Sequence, residues 1–128
     1  MDSIKQLVLI VDDEGIYREG ILVPLVTQAG FDYVSVNNPI DAFKELDSRQ
    51  FNVLLLDTIG KRECVVGPSI AKYAIDKGKK PRIIALSGDY NNKIHWEKSG
   101  VPYEFFNKDA TYNASFIDVL KGTKNKED

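Results

Sequence analysis

Cysteine, histidine, tryptophan and methionine each occur once in these 128 residues. The lone Cys64 excludes an internal disulfide and a cysteine-rich zinc site, and the single His95 cannot build a multi-histidine metal centre. Neither sign of charge prevails: 17 Lys+Arg face 19 Asp+Glu, for a net charge of −2. Such a balance gives no reason to expect a nucleic acid as partner. Long hydrophobic runs are missing too. Leu7-Val8-Leu9-Ile10-Val11 is too short to cross a bilayer or to form a signal-peptide core, so the expectation is a cytoplasmic protein with no membrane insertion. What remains is 43% hydrophobic and 28% charged residues, the make-up of one soluble globular domain able to bury its own core. Its chemistry, if any, must rest on oxygen.

Five short apolar runs recur: Leu7–Val11, Tyr33–Val36, Val53–Leu56, Arg82–Leu86 and Tyr103–Phe106. The first, third and fourth are nearly continuous in Val, Ile and Leu, the pattern of strands buried on both faces of a parallel sheet. The weaker second and fifth read as edges. Between the runs lie helical spacings. Tyr17, Ile21 and Leu25 repeat at four-residue intervals and end near Gly30. Pro24 falls inside this pattern, so a kink or an early end is expected there. Asn38-Pro39 opens a second helix with Ile40, Phe43 and Leu46 inward. Gly67-Pro68 opens a third with Ile70 and Ala74 inward, closing at Gly78. Residues 91–98 make a short fourth, ended by Gly100. Thr111 is the expected cap of the last, whose Tyr112, Phe116, Val119 and Leu120 share a face. Fivefold alternation of strand and helix predicts an α/β fold with helices on both sides of a parallel sheet.

Sheets of this kind bind ligands beyond the carboxyl ends of their strands. There the sequence places Asp12-Asp13-Glu14, Asp57, Ser87-Gly88 and Asn107-Lys108. Close carboxylates repel and raise one another's pKa unless a cation sits among them, and hard oxygen ligands suit Mg²⁺. One carboxylate can then act as nucleophile toward a phosphoryl donor. The metal and an ammonium would offset the phosphoryl charge.

The motifs IVDDE at 10–14, LLLDT at 54–58, IIALSG at 83–88 and FFNK at 105–108 resemble those of two-component response-regulator receiver domains of the chemotaxis-receiver type. The spacings from Asp57 to Ser87 and from Ser87 to Lys108 are close to the family's. The match covers about residues 5–121. The resemblance implies a flavodoxin-like (βα)5 sheet of order 2-1-3-4-5 in a three-layer α/β/α sandwich. It implies a single receiver domain over 1–128, with a frayed charged tail at 122–128. It also implies a phosphoacceptor at Asp57, Mg²⁺ held by Asp12, Asp13, Asp57 and the backbone carbonyl of Ile59, and a phosphate partner in Lys108. Ser87 and Phe105 would form the switch, and Ile59 and Asp89 would tune how water reaches the acyl phosphate. Implied partners are a histidine kinase or phosphotransfer protein, a downstream protein on the face of the fourth helix, fifth strand and fifth helix, and a second copy in a homodimer. Trp96, Tyr103 and Phe116 are expected to contribute to that face. No enzymatic activity beyond its own phosphorylation and dephosphorylation is expected.

The sequence departs from the family at two places. Asp109 follows Lys108 where a proline is usual, so a trans peptide is expected. Lys61 replaces the usual proline after the phosphoacceptor and Gly67 comes late, so the loop is longer and brings Lys61 and Arg62 within reach of the acidic pocket. This leaves a second class open, a receiver-like adaptor that works without phosphorylation. A dehalogenase-type phosphatase would need an aspartate where Ile59 stands. A flavodoxin-like flavin binder would need a Ser/Thr-rich loop after the first strand, where the acids lie. The basic group Lys77, Lys79, Lys80 and Arg82 reads as a solvated helix end.

Overall fold

Side chains alternate across the sheet, and in the three central strands both sides are dry. Leu9, Leu54, Leu56 and Ala85 belong to one apolar cluster, whereas Val8, Ile10, Leu55, Ile84 and Leu86 belong to a second on the opposite face. A strand buried on both faces needs helices on both, and the chain supplies them. The computed structural model describes residues 5–122. Its strands are β1 (Leu7–Val11), β2 (Asp32–Val36), β3 (Val53–Asp57), β4 (Arg82–Ser87) and β5 (Glu104–Asn107). All pair in parallel, in the order β2-β1-β3-β4-β5, as the family resemblance implies.

The helices are α1 (residues 15–28), α2 (Pro39–Ser48), α3 (Gly67–Asp76), α4 (Lys93–Ser99) and α5 (Phe116–Lys121). Leu22 and Val26 of α1 pack with Phe116, Val119 and Leu120 of α5 on one face. Ala42 and Leu46 of α2, Ile70 and Ala74 of α3 and Trp96 of α4 cover the other. Each fully buried Leu, Ile or Val contributes about 1.5–3 kcal/mol relative to exposure, and these two clusters hold the layers together.

Pro24 is accommodated without ending its helix. The turn Arg18–Leu22 just before it is a wider π-helical one, in which the Val23 N–H reaches back to the Arg18 carbonyl. Pro24 then occupies the first turn of the α-helical segment Val23–Gln28, where its missing N–H matters least. Three other local expectations are corrected. Ile40 is 65% exposed, and the inner face of α2 is Ala42 and Leu46. The final helix is shorter than expected: Thr111 lies in a 3-10 turn (Lys108–Tyr112), and α5 starts after Ser115. Tyr112, in that turn, is 66% exposed rather than part of the helix's inner face. Beyond Gly122, the expected charged tail lies outside the described residues.

Candidate functional site

Strand register assembles the site. Val11 pairs with Leu56, so Asp12, the next residue, stands beside Asp57 at the end of β3. Asp57 pairs with Leu86 and Ser87 with Asn107, which sets Lys108 one step beyond the rim. On β1 the neighbours diverge, β2 to one side and β3 to the other, and the crevice at such a reversal is where open α/β sheets take their ligands.

Carboxylate oxygens of Asp12, Asp13 and Asp57 all lie within 4.8 Å of one another. Lys108 reaches over them. Its Nζ is 2.8 Å from Glu14 Oε1, 3.0 Å from Asp12 Oδ2 and 3.4 Å from Asp57 Oδ1. One ammonium does not balance three buried or half-buried acids. Burial, with the charge of Asp12 added, pushes Asp57 up to about 7 although Lys108 opposes the shift. Burial likewise raises Asp12, against the Glu14 backbone N–H that donates to its Oδ1 at 2.8 Å. For Lys108 burial works the other way, but the Glu14 hydrogen bond and the charges of Asp57 and Asp12 outweigh it and raise the ammonium's pKa.

A divalent cation fits this donor set. Asp12 Oδ2 is buried and accepts no well-aligned hydrogen bond, despite its ion-pair distance to Lys108. A buried acceptor left in that state is costly, and three hard oxygens converging beside it match what Mg²⁺ selects. Ile59 lines the same pocket, together with Asp13, Asp57, Ser87, Asp89, Asn92 and Lys108.

No protein-family model matches the sequence, and comparison with curated proteins gave no match. Solved structures do match. A response-regulator receiver protein from Sinorhizobium medicae aligns over 97% of this chain and 98% of its own, with TM-score 0.77 and 20% identity. The response regulator TrrA from Thermotoga maritima, solved in complex with Mg²⁺-BeF, aligns over 91% of this chain and 97% of its own, with TM-score 0.74 and 22% identity. The receiver domain of the Francisella response regulator 1452 aligns over 94% of this chain and 100% of its own, with TM-score 0.68 and 23% identity. The chain has the response-regulator receiver fold.

Within this receiver fold, Ser87 is held away from free rotation. Its hydroxyl donates to the Asp89 carbonyl at 2.9 Å and accepts from the Asn92 side-chain amide at 2.9 Å and the Asp89 N–H at 3.1 Å. Asp89 is engaged as well, its Oδ1 accepting from the Asn91 N–H at 2.9 Å. Phe105 is nearly buried and meets the exposed Tyr90 ring edge-on, with centroids 5.6 Å apart. The segment 89–92 therefore touches both Ser87 and Phe105. Asn92 was invisible in the sequence, because an asparagine at the start of an expected short helix carries no pattern.

Lys61 and Arg62 are exposed and do not line the acidic pocket. An antiparallel bridge between Ile59 and Val65 and the Gly60 N–H to Cys64 carbonyl bond pin their short turn outward. The Lys108–Asp109 peptide is trans, with no cis bond among the described residues. Trp96 is fully buried, and Phe116 lies in the cluster on the opposite face of the sheet; the expected surface of Trp96, Tyr103 and Phe116 does not form. Trp96 instead donates its indole N–H to Thr58 Oγ1 at 2.8 Å, and Thr58 donates onward to the Leu86 carbonyl. Gly67 makes this possible. A Cβ there would stand 2.4 Å from the Asp57 carbonyl oxygen and 2.7 Å from the Trp96 ring, so only glycine lets α3 start so close to β3.

Proposed function

We propose that the chain is a phosphoacceptor receiver of a two-component phosphorelay, carrying the phosphoryl group on Asp57. The observation that carries this reading is the buried Asp12, Asp13 and Asp57 cluster under the Lys108 ammonium, at the strand-order reversal of a receiver fold. An Asp57 carboxylate oxygen attacks phosphorus, and the donor departs with the electrons of the broken bond, leaving an acyl phosphate. Asp12, Asp13, Asp57 and the Ile59 carbonyl would hold Mg²⁺, which when bound supplies positive charge beside the transferring oxygens. Lys108 stabilises the same charge from the other side. Ser87, released from Asp89, donates to a phosphoryl oxygen, and Phe105 repacks with it. Ile59 screens the acyl phosphate from water, and Asp89 adjusts that screening.

The structural relative from Thermotoga maritima in complex with Mg²⁺-BeF supports extending this chemistry to the present chain. The phosphodonor is a histidine kinase or phosphotransfer protein. It reaches Asp57 beside a groove of about 620 Å³ lined by Ile16, Tyr17, Ile21 and Tyr112, of which Ile16 is 93% exposed. Output passes to a downstream protein, or to a second copy, on the α4–β5–α5 face, where Tyr90, edge-on to Phe105, and Ile94 of α4 are exposed large side chains. No helix among the described residues is long and apolar enough to cross a membrane, and we place the domain in the cytoplasm. It acts on no substrate other than its own acyl phosphate.

Acetyl phosphate with Mg²⁺ tests the reading. Intact mass should show one phosphoryl group on the wild type and none on Asp57→Asn. Absence of any Asp57-dependent gain would instead favour the phosphorylation-independent adaptor.

A further inference from the structure

Lys108 is the one cation ion-paired with Asp12 and Asp57 among the described residues, yet it opens a half-exposed turn with no proline to stiffen it. Two side chains compensate, Thr111 within the turn itself and Tyr17 from α1. Thr111 is buried and its hydroxyl donates to the Lys108 carbonyl at 2.6 Å. The same hydroxyl lies 2.7 Å from Tyr17 Oη. Since Thr111 spends its one hydrogen on Lys108, Tyr17 is the donor in that pair. The Tyr17 ring, buried at the start of α1, also lies under the Lys108 ammonium, with Nζ 4.7 Å from the ring centroid. One tyrosine thus fixes Lys108 at both ends: its backbone through Thr111, its charge through a cation–π contact.

We propose that Tyr17 and Thr111 are positioning residues for Lys108, aiming its ammonium at the phosphoryl site. This rests on the phosphoacceptor reading given above. A chain of donors from Tyr17 through Thr111 to the Lys108 carbonyl links α1 to the end of β5. The turn is held by that link across 94 residues of sequence instead of by local backbone stiffness. Lys108 meets the phosphoryl group, whereas the acids meet the metal. Loosening the clamp should therefore separate two affinities that a collapsed pocket would lose together.

The test is calorimetric titration of the full chain with Mg²⁺ alone, then with beryllofluoride at saturating Mg²⁺. Thr111→Val and Tyr17→Phe are each expected to bind beryllofluoride about fivefold more weakly, the weight of one net hydrogen bond. Their Mg²⁺ affinity should stay within about twofold of wild type, and Thr111→Ser should restore the loss. Wild-type affinity for beryllofluoride in both variants overturns the proposal, as does a parallel loss of Mg²⁺ binding. A second measurement is independent of phosphoryl chemistry. The Tyr17 ring current shifts the Lys108 ε-methylene protons upfield, and in Thr111→Val they should move toward the position of an exposed lysine. An unchanged shift overturns the clamp. A wild type that ignores beryllofluoride but shows the shift overturns only the phosphoacceptor reading.

Discussion

Replacing Asp57 by asparagine should stabilise the metal-free protein, and most strongly at alkaline pH. Burial and the Asp12 charge raise the Asp57 carboxyl from 3.8 to about 7. Between those values the folded chain keeps a proton that the unfolded chain has already released. Stability is therefore highest at low pH, falls as pH climbs from about 4 toward 7, and levels off once both states are ionised. A gap of about 3 pH units corresponds to about 4 kcal/mol at pH 8. At pH 5 the folded state is still protonated and less than half of the penalty has developed. An amide keeps the side chain's shape without its charge, so Asp57→Asn removes the penalty. For a domain of this size 1 kcal/mol moves Tm by about 3–5 °C. Melting followed by circular dichroism in EDTA should show a gain of about 12–20 °C at pH 8 and less than half of that at pH 5. Saturating Mg²⁺ should narrow the difference by stabilising the wild type. A variant that melts at or below its parent at pH 8, or a gain that does not shrink at pH 5, would refute the claim that burial and like charge strain Asp57.

Three further outcomes follow from contacts already described. Gly67→Ala forces a Cβ against the Asp57 carbonyl and the Trp96 ring and should cost about 1–3 kcal/mol, read from the urea midpoint; an unchanged midpoint contradicts the close packing. Asn92→Ala removes a donor from Ser87, so the hydroxyl turns more freely. Beryllofluoride should then bind about threefold more tightly at fixed Mg²⁺, and weaker binding would assign Asn92 to the bound state instead. Ile59→Asn opens the pocket wall to water and should shorten the lifetime of phosphorylated Asp57, followed by intact mass; a lifetime equal to the parent's removes Ile59 from that role.

The layout was legible because it rests on long-period signals. Three Val/Ile/Leu runs buried on both faces, separated by helical spacings and capping pairs such as Asn38-Pro39, leave little besides a parallel α/β sheet. The strand order came from the resemblance, since hydrophobic pattern does not distinguish one order of parallel strands from another. At the site, Asp12, Asp13, Asp57, Ser87 and Lys108 were visible as strand-end polar residues. The supporting shell was not. Tyr17 read as one more helix-face apolar residue and Thr111 as a cap, because the bond between them joins segments 94 residues apart. Trp96 read as partly exposed for a similar reason: its burial depends on Gly67, whose missing side chain leaves room for the ring. Lys61 and Arg62 were assigned by reach alone, and the bridge between Ile59 and Val65 that turns them outward depends on a tertiary pairing.

The chain's single indole, enclosed in the core, is tied to Thr58, the residue that directly follows Asp57. Its emission is accordingly a built-in optical gauge of the pocket, blue-shifted by dry surroundings and needing no attached dye. Rapid-mixing fluorescence can then time each event at Asp57 in unmodified protein.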